Sequence, residues 1–189
     1  MMKQPPLALI RSKINAVSSS VRRRYLKALG LKIKAGGSLG RIKCEWPANV
    51  TIGGDCNIQD DVVFWVKNPF SNDNRIVLGD RVFIGRNCEI NCNSVISIGD
   101  DCLIGSNTIF ADINHQIDKR YKINVQPVDK ADIVLEEDVW IGAGCIILKG
   151  VRIGKGSVVG AGSLINKSVP DYEIWAGTPA RKIGERKEI

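Results

Sequence analysis

The sequence predicts an all-β solenoid, a parallel β-helix of triangular section with a helical segment at its N-terminus and one long excursion loop. Three observations carry that prediction. Residues 135–170 divide into the hexads LEEDVW, IGAGCI, ILKGVR, IGKGSV, VGAGSL and INKSVP, opened by Leu135, Ile141, Ile147, Ile153, Val159 and Ile165. Four places after each opener stand Val139, Cys145, Val151, Ser157, Ser163 and Val169, all small enough for a corner. The same grammar recurs upstream, with openers at 52, 58, 78, 84, 90, 98 and 104. A six-residue unit cannot bury a face alone, so stability must come from stacking. Three short strands then make one coil of about eighteen residues, and coils pair as parallel strands at roughly 4.8 Å. Glycine beside the opener, at 142, 154 and 160, suits turn backbone with positive φ.

Composition sets the scale. At 189 residues and 44% hydrophobic, the chain is long enough for a core and short enough for one domain. Only 6% of residues are aromatic and 19 are glycine, which suits a thin prism better than a thick globule. No apolar run approaches the ~20 residues needed to cross a membrane. The apolar piece at residues 5–10 meets Arg11 at once and lacks a secretory cleavage pattern, so a cytoplasmic location is expected.

Taken in order, residues 1–6 read as a frayed end. Leu7, Ile10, Ile14, Val17, Val21, Tyr25 and Leu29 recur at spacings of three and four, which predicts one or two helices stopped by Gly30. Residues 1–45 hold eleven Lys and Arg against the single acid Glu45, while the remainder holds sixteen basic and nineteen acidic residues. Two readings of Arg22, Arg23, Arg24 and Lys27 stand open: a solvated face on a helix that caps or flanks the prism, or contact with an anionic membrane surface or a lipid-linked, phosphate-bearing acceptor. Basic residues are not interleaved with stacking aromatics, so nucleic acid is not an expected partner.

Ile33 and Leu39 open the first, irregular hexads. The register breaks at residues 67–75, a surface loop by composition, and slips by two residues between Ile90 and Ile98. Cys56, Cys88, Cys102 and Cys145 each fall at a corner, where a reduced thiol acts as a small hydrophobe. Cys44 and Cys92 lie outside that class, and the CxxxC spacing of Cys88 and Cys92 lacks the second ligand pair a zinc site needs. No metal is expected. Between Phe110 and Ile133 the grammar disappears, and Pro127 excludes a central strand there. Long excursions from a compact scaffold are usually functional, and this one holds His115, the only histidine. The organisation is a basic helical segment at 1–32, a β-helix at 33–174 with its loop at 111–134, and a tail at 175–189.

The hexads, the run VWIGAGCIILKGVRIGKGSVVGAGSLINKSVP and the ending EIWAGTPARKIG together resemble the left-handed β-helix acyltransferases with hexapeptide repeats. The likeness covers about residues 33–184. It leans toward the branch that O-acetylates sugars of bacterial surface polysaccharides, and more distantly toward maltose and galactoside O-acetyltransferases. Left-handedness comes from the resemblance alone, since parallel crossovers are right-handed in about 98% of cases.

The resemblance implies roles for particular residues. Family members carry a histidine after the last hexad before the long loop, and ADINH puts His115 in that catalytic place. The chemistry agrees: moving an acetyl group from a thioester to a hydroxyl needs a base that works near neutral pH, and imidazole is suited to that. Asp112 and Asn114 would orient the ring or bind the acceptor, with a loop-structuring role equally open. Acetyl-CoA as donor would lie along the prism edge against Trp140, Gly142, Ala143, Ala161, Lys167 and the segment with Thr178, Pro179 and Arg181, with Lys182 and Arg186 close behind. A corner N–H near Gly142 would meet the oxyanion. Maltose-type relatives place an asparagine thirty residues before the histidine, where this chain has Gly85, and Asn91 would stand in for it. The resemblance also implies a homotrimer with active sites shared between chains.

The predicted function is acetyl-CoA-dependent O-acetylation of a sugar hydroxyl. N-acetylation of a nucleotide-linked amino sugar is the alternative, and a purely structural β-helix is a third reading. A γ-class carbonic anhydrase would need three histidines at its zinc, and this chain has one.

Overall fold

The computed structural model describes residues 6–71 and 73–188, with side chains from residue 13 onward. Most of the expected frayed end, and the side chains of Leu7 and Ile10 in the predicted stripe, lie outside the described residues. Three parallel sheets form the three faces of a prism. The first face runs from Lys32–Ile33 through Val50–Ile52, Arg75–Leu78, Val95–Ile98 and Ile133–Leu135 to Arg152–Ile153. The second climbs from Ser38–Leu39 to Val158–Val159 and ends in an antiparallel hairpin, Glu173–Gly177 with Ala180–Glu185. The third runs from Lys43–Cys44 to Leu164–Ile165. Neighbours on one face come from successive coils, which is a solenoid topology.

Register shows why period six works. Ile52 pairs with Leu78, Leu78 with Ile98, Ile98 with Leu135 and Leu135 with Ile153, so openers stack on openers and all are buried. The corner residues Val82, Cys102, Val139 and Cys145 are buried as well. Two openers escaped a search for aliphatic residues. Phe64 and Phe110 hold opener positions on the third face, where Phe64 stacks on Ile90, and Phe110 sits between Ile90 and Ile147. The slip of two residues also has a cause. Strands lengthened to four residues bury a second side chain, so Cys92 lies inward against Val66, and Ile76 pairs with Ile96 on the first face.

The glycines correct one expectation. Gly142, Gly154 and Gly160 are absent from the positive-φ residues, which instead fall three places after the opener, at Asp55, Arg81, Asn87, Asp101, Asn107, Asp138, Gly144 and Gly162. Gly, Asn and Asp tolerate that conformation best. Gly142 is required for a different reason, because a Cβ there would stand 2.5 Å from the Ala161 nitrogen of the next coil.

A single helix, α1 (Pro6–Ala28), closes the lower end of the stack. It docks by polar groups. The Leu39 N–H donates to Ser19 Oγ at 2.9 Å, Arg22 donates to the Leu39 carbonyl at 3.0 Å, and Arg23 donates to the carbonyls of Lys34 and Gly36. These are backbone groups of the first coil, which has no coil beneath it to bond. Leu26 and Leu31 add the buried apolar contact. The predicted stripe therefore faces away from the prism, with Ile14, Val17, Val21, Tyr25 and Leu29 all exposed.

All six cysteines are free thiols. Burial pushes the Cys44 and Cys102 thiols up to about 11 and the Cys92 thiol up to about 12, from an ordinary value of 9.0. In the folded chain these thiols hold their protons while the unfolded chain releases them, so their contribution is full below pH 9 and is lost as pH rises toward 11–12. The melting temperature is expected to hold steady up to about pH 8.5 and fall progressively above pH 9. Calorimetry across that range checks it, with Cys92→Ala and Cys102→Ala expected to flatten the alkaline fall.

Candidate active site

The interruption of the hexads is an arm with its own structure. Ile113–His115 pairs antiparallel with Val128–Lys130, setting Ile113 against Lys130, Asn114 against Asp129 and His115 against Val128. The stretch expected to be irregular thus contains a two-stranded ribbon, with Pro127 just outside it. Beyond the ribbon, the Gln126 amide accepts from the Asp118 N–H at 2.8 Å and donates to the carbonyls of Asp118 and Tyr121, closing the tip on itself.

Two carboxylates clamp the root of the arm to the coil below. Asp112 is fully buried, and its Oδ2 accepts the backbone N–H groups of Asn93 and Ser94, both at 2.7 Å. Its Oδ1 accepts from the Asn93 amide at 3.2 Å. At the other end of the excursion, Asp132 Oδ1 accepts the Ser94 hydroxyl at 2.5 Å and the Val95 N–H at 3.0 Å. Both ends of the arm therefore seize one corner, residues 93–95. Asp132 was missed in the sequence, where the available signal was an aspartate at each boundary of the silent stretch.

His115 is exposed on this ribbon, as is Asn114. Asp112, its carboxylate committed to three hydrogen bonds from Asn93 and Ser94, is the anchor beneath them, and His115 is not among the partners of that carboxylate. Asn91 lies on the third face in register with Ala111, directly under the strand that leads into the arm. Asn91, Asp112 and His115 are thus gathered at one prism edge.

The residues expected on the donor side divide between two edges. Gly142, Ala143 and Ala161 stack at the corner between the second and third faces, and Thr178 joins them by donating to the Gly162 carbonyl at 3.2 Å. Pro179 follows in the hairpin turn, and Arg181 donates to the Ala180 carbonyl at 2.8 Å. Lys167 lies in the corner after Leu164–Ile165, at the same edge as the arm and two coils above it. From Gly142 across the third face to Leu148 is six residues of extended backbone, at most about 20 Å. The arm and the small-residue corner thus lie at opposite edges of the third face.

Cations at the end of the chain differ in their freedom. Lys182 bonds Glu173 at 2.7 Å and also Glu185, and those carboxylates raise its pKa. Arg186 pairs with Asp138 at 2.6 Å. Lys167 has no ion-pair or hydrogen-bond partner among the described residues. The Gly142 N–H is not available to an oxyanion, because it donates to the Val159 carbonyl at 2.8 Å. Trp140 stands outward on the second face at 55% exposure, in a cleft of about 370 Å³ shared with Leu103, Val158 and Arg186. A larger polar groove, about 760 Å³, lies between α1 and the first coils, at the other end of the prism from these groups.

Residues 132–167 match the family Bacterial transferase hexapeptide (six repeats), and residues 75–109 match Hexapeptide repeat of succinyl-transferase. Both matched stretches carry the hexapeptide repeat. Among curated relatives of this hexapeptide-repeat chain, a galactoside O-acetyltransferase of Lactococcus lactis is 34% identical over 71% of the chain and 63% of the relative. A probable acetyltransferase of Mycobacterium tuberculosis is 31% identical over 62% of the chain, which spans only 39% of that relative. Solved structures of similar shape include the N-acyltransferase AntD of Bacillus cereus in complex with dTDP and 3-hydroxybutyryl-CoA. It shows a TM-score of 0.71 and 26% identity over 87% of this chain and 88% of that one. A hexapeptide-repeat-containing acetyltransferase of Vibrio cholerae complexed with acetyl-CoA gives 0.65 and 27%, covering 96% of this chain and 85% of that one.

The clamp makes its own prediction. Asp112→Ala leaves the buried Asn93 N–H and the half-buried Ser94 N–H without an acceptor, and a fully buried loss costs about 1–3 kcal/mol. Urea unfolding should show a stability loss of roughly 2–4 kcal/mol, and amide exchange should accelerate at residues 93–95 and along the arm.

Proposed function

We propose that the chain is an acetyl-CoA-dependent O-acetyltransferase acting on a sugar hydroxyl, of a surface polysaccharide or its lipid-linked precursor, in a left-handed β-helix. The observation that carries the reading is the chain's only histidine, held exposed on a ribbon clamped at both ends, within a fold shared with acetyl-CoA-bound relatives. His115 takes the proton of the acceptor hydroxyl, and the oxygen attacks the thioester carbonyl carbon. As the tetrahedral intermediate collapses, the C–S bond breaks and the imidazolium returns its proton to the departing thiolate. No serine or cysteine nucleophile is needed, which suits a chain in which five of the six thiols are buried and burial pushes the thiol pKa up.

The residues present fit a CoA donor. Gly142, Ala143 and Ala161 make a corner without side-chain bulk, along which a pantetheine arm can lie. Lys167 and Arg181, neither held by a carboxylate among the described residues, are placed to meet phosphates, whereas Lys182 and Arg186 are already held by carboxylates. Asn91 and Asn114 border the acceptor side.

N-acetylation of a nucleotide-linked amino sugar is the second reading, favoured by the likeness to an N-acyltransferase bound to dTDP. Product chemistry separates the two: an ester is cleaved by mild base and an amide is not. Incubating acetyl-CoA with a panel of sugars, amino sugars and lipid-linked glycans, followed by mass spectrometry before and after mild base, decides it. His115→Ala is expected to lower kcat by about 10²–10⁴-fold with the fold intact. Lys167→Ala is expected to raise the KM for acetyl-CoA with little change in kcat. Full turnover in His115→Ala would overturn the mechanism.

The assembly belongs to the same proposal: a homotrimer in which the arm of one chain meets the small-residue corner of its neighbour. Supporting it, Phe83, Leu103, Trp140, Val158 and Ile174 form an outward apolar ladder in register on the second face. Ile117, Ile123 and Val125 on the arm are also exposed in the single chain. Light scattering should report three times the chain mass, and Trp140→Asp should produce monomers without activity. A fully active monomer would defeat this arrangement.

A further inference from the structure

The apolar stripe on α1 has no partner within the chain. Ile14, Val17, Val21, Tyr25 and Leu29 are 61%, 64%, 61%, 63% and 48% exposed. They recur at three and four residues along some fifteen positions, roughly 22 Å of helix at 1.5 Å per residue. The orientation is set from the opposite side, where Ser19, Arg22 and Arg23 hold the first coil and Leu26 is buried. Rolling the stripe inward would strip those backbone groups of their partners, so the stripe is held outward.

Charge along the same helix identifies the occupant. Arg22 and Arg23 are engaged on carbonyls, but Lys13, Arg24 and Lys27 are exposed and make no hydrogen bond or ion pair among the described residues. At 100° per residue, Lys13 and Arg24 fall within about 20° of one line, bordering the apolar stripe. The first acidic residue of the chain is Glu45. A second copy of α1 would set like charges against each other along the seam. An apolar strip edged by unpaired cations matches an anionic lipid interface, where acyl chains take the strip, headgroup phosphates take the cations, and Tyr25 suits the boundary between them.

We propose that α1 docks this protein on an anionic phospholipid leaflet, with the five-residue stripe at the acyl boundary and Lys13 and Arg24 among the headgroups. The docking does not depend on the acetyl-transfer reading. It also refines the meaning of the basic residues: Arg22 and Arg23 cap the prism, while Lys13 and Arg24 face the membrane.

The test is co-sedimentation of the full chain with vesicles of phosphatidylcholine alone or with about one third phosphatidylglycerol. Binding is expected on the anionic vesicles only, weakening as salt is raised. Val17→Ser with Val21→Ser should weaken it at least tenfold, and each of Lys13→Gln and Arg24→Gln by roughly fivefold. All of these positions are exposed, so melting temperature and turnover on a soluble acceptor should not change. Failure to sediment with anionic vesicles, or equal binding to both kinds, overturns the proposal. So does a Val17→Ser/Val21→Ser chain that loses molecular mass in light scattering while keeping its vesicle binding, which would assign the stripe to a second copy.

Discussion

Everything in this molecule depends on one coil lying directly on the next at the spacing of a parallel strand pair. At about 4.8 Å, each opener meets the opener above and below it, and where glycine follows the opener a Cβ would strike the next coil. Gly142 under Ala161 shows the limit, with 2.5 Å between a would-be Cβ and the next coil's nitrogen. The turn must then be completed in the left-handed region three places after the opener, where Gly, Asn and Asp gather. Side chains also bind the corners together. Asp80 accepts the Gly54 N–H at 2.7 Å, and that bond together with Lys34 holds its carboxyl below the usual range. Asp100 accepts the Asp80 N–H at 2.7 Å.

A stack of this kind has two ends, and each end exposes unpaired backbone. The upper end of the second face is closed by the C-terminal hairpin, whose strand Glu173–Gly177 pairs in parallel with Val158–Val159. The lower end is closed by α1, and here hydrogen bonding outranks apolar burial. Leaving buried amides and carbonyls unpaired costs more than leaving aliphatic side chains in water. The polar side of the helix therefore faces the prism, and the apolar side is left for another surface.

The proposed chemistry sits where the stack is interrupted. An arm that leaves the prism at one edge would swing freely if only its covalent ends restrained it. Asp112 and Asp132 prevent that by gripping residues 93–95 of the coil below. His115 is thus placed from a regular scaffold although it lies outside the repeat. The same rigidity keeps His115 and the Gly142 corner on different edges of the third face, which is why the proposed reaction calls on more than one chain.

By itself, the sequence determined the stacked strands, the inward openers, the small corners and the position of the interruption with its histidine. Those features follow from local spacing and side-chain volume, which period six writes directly into the chain. It also placed the corner thiols, since a small apolar group at a fixed offset needs no knowledge of its neighbours. Only the tertiary structure decided which side of α1 meets the prism, because the competing demand came from unpaired groups of residues 34–39, distant in sequence from most of the stripe. The φ pattern at the corners, the second inward residue in the longer strands and the clamp from Asp112 and Asp132 to residues 93–95 were likewise settled there. Each rests on contact between one coil and another, a distance the hexad grammar does not encode.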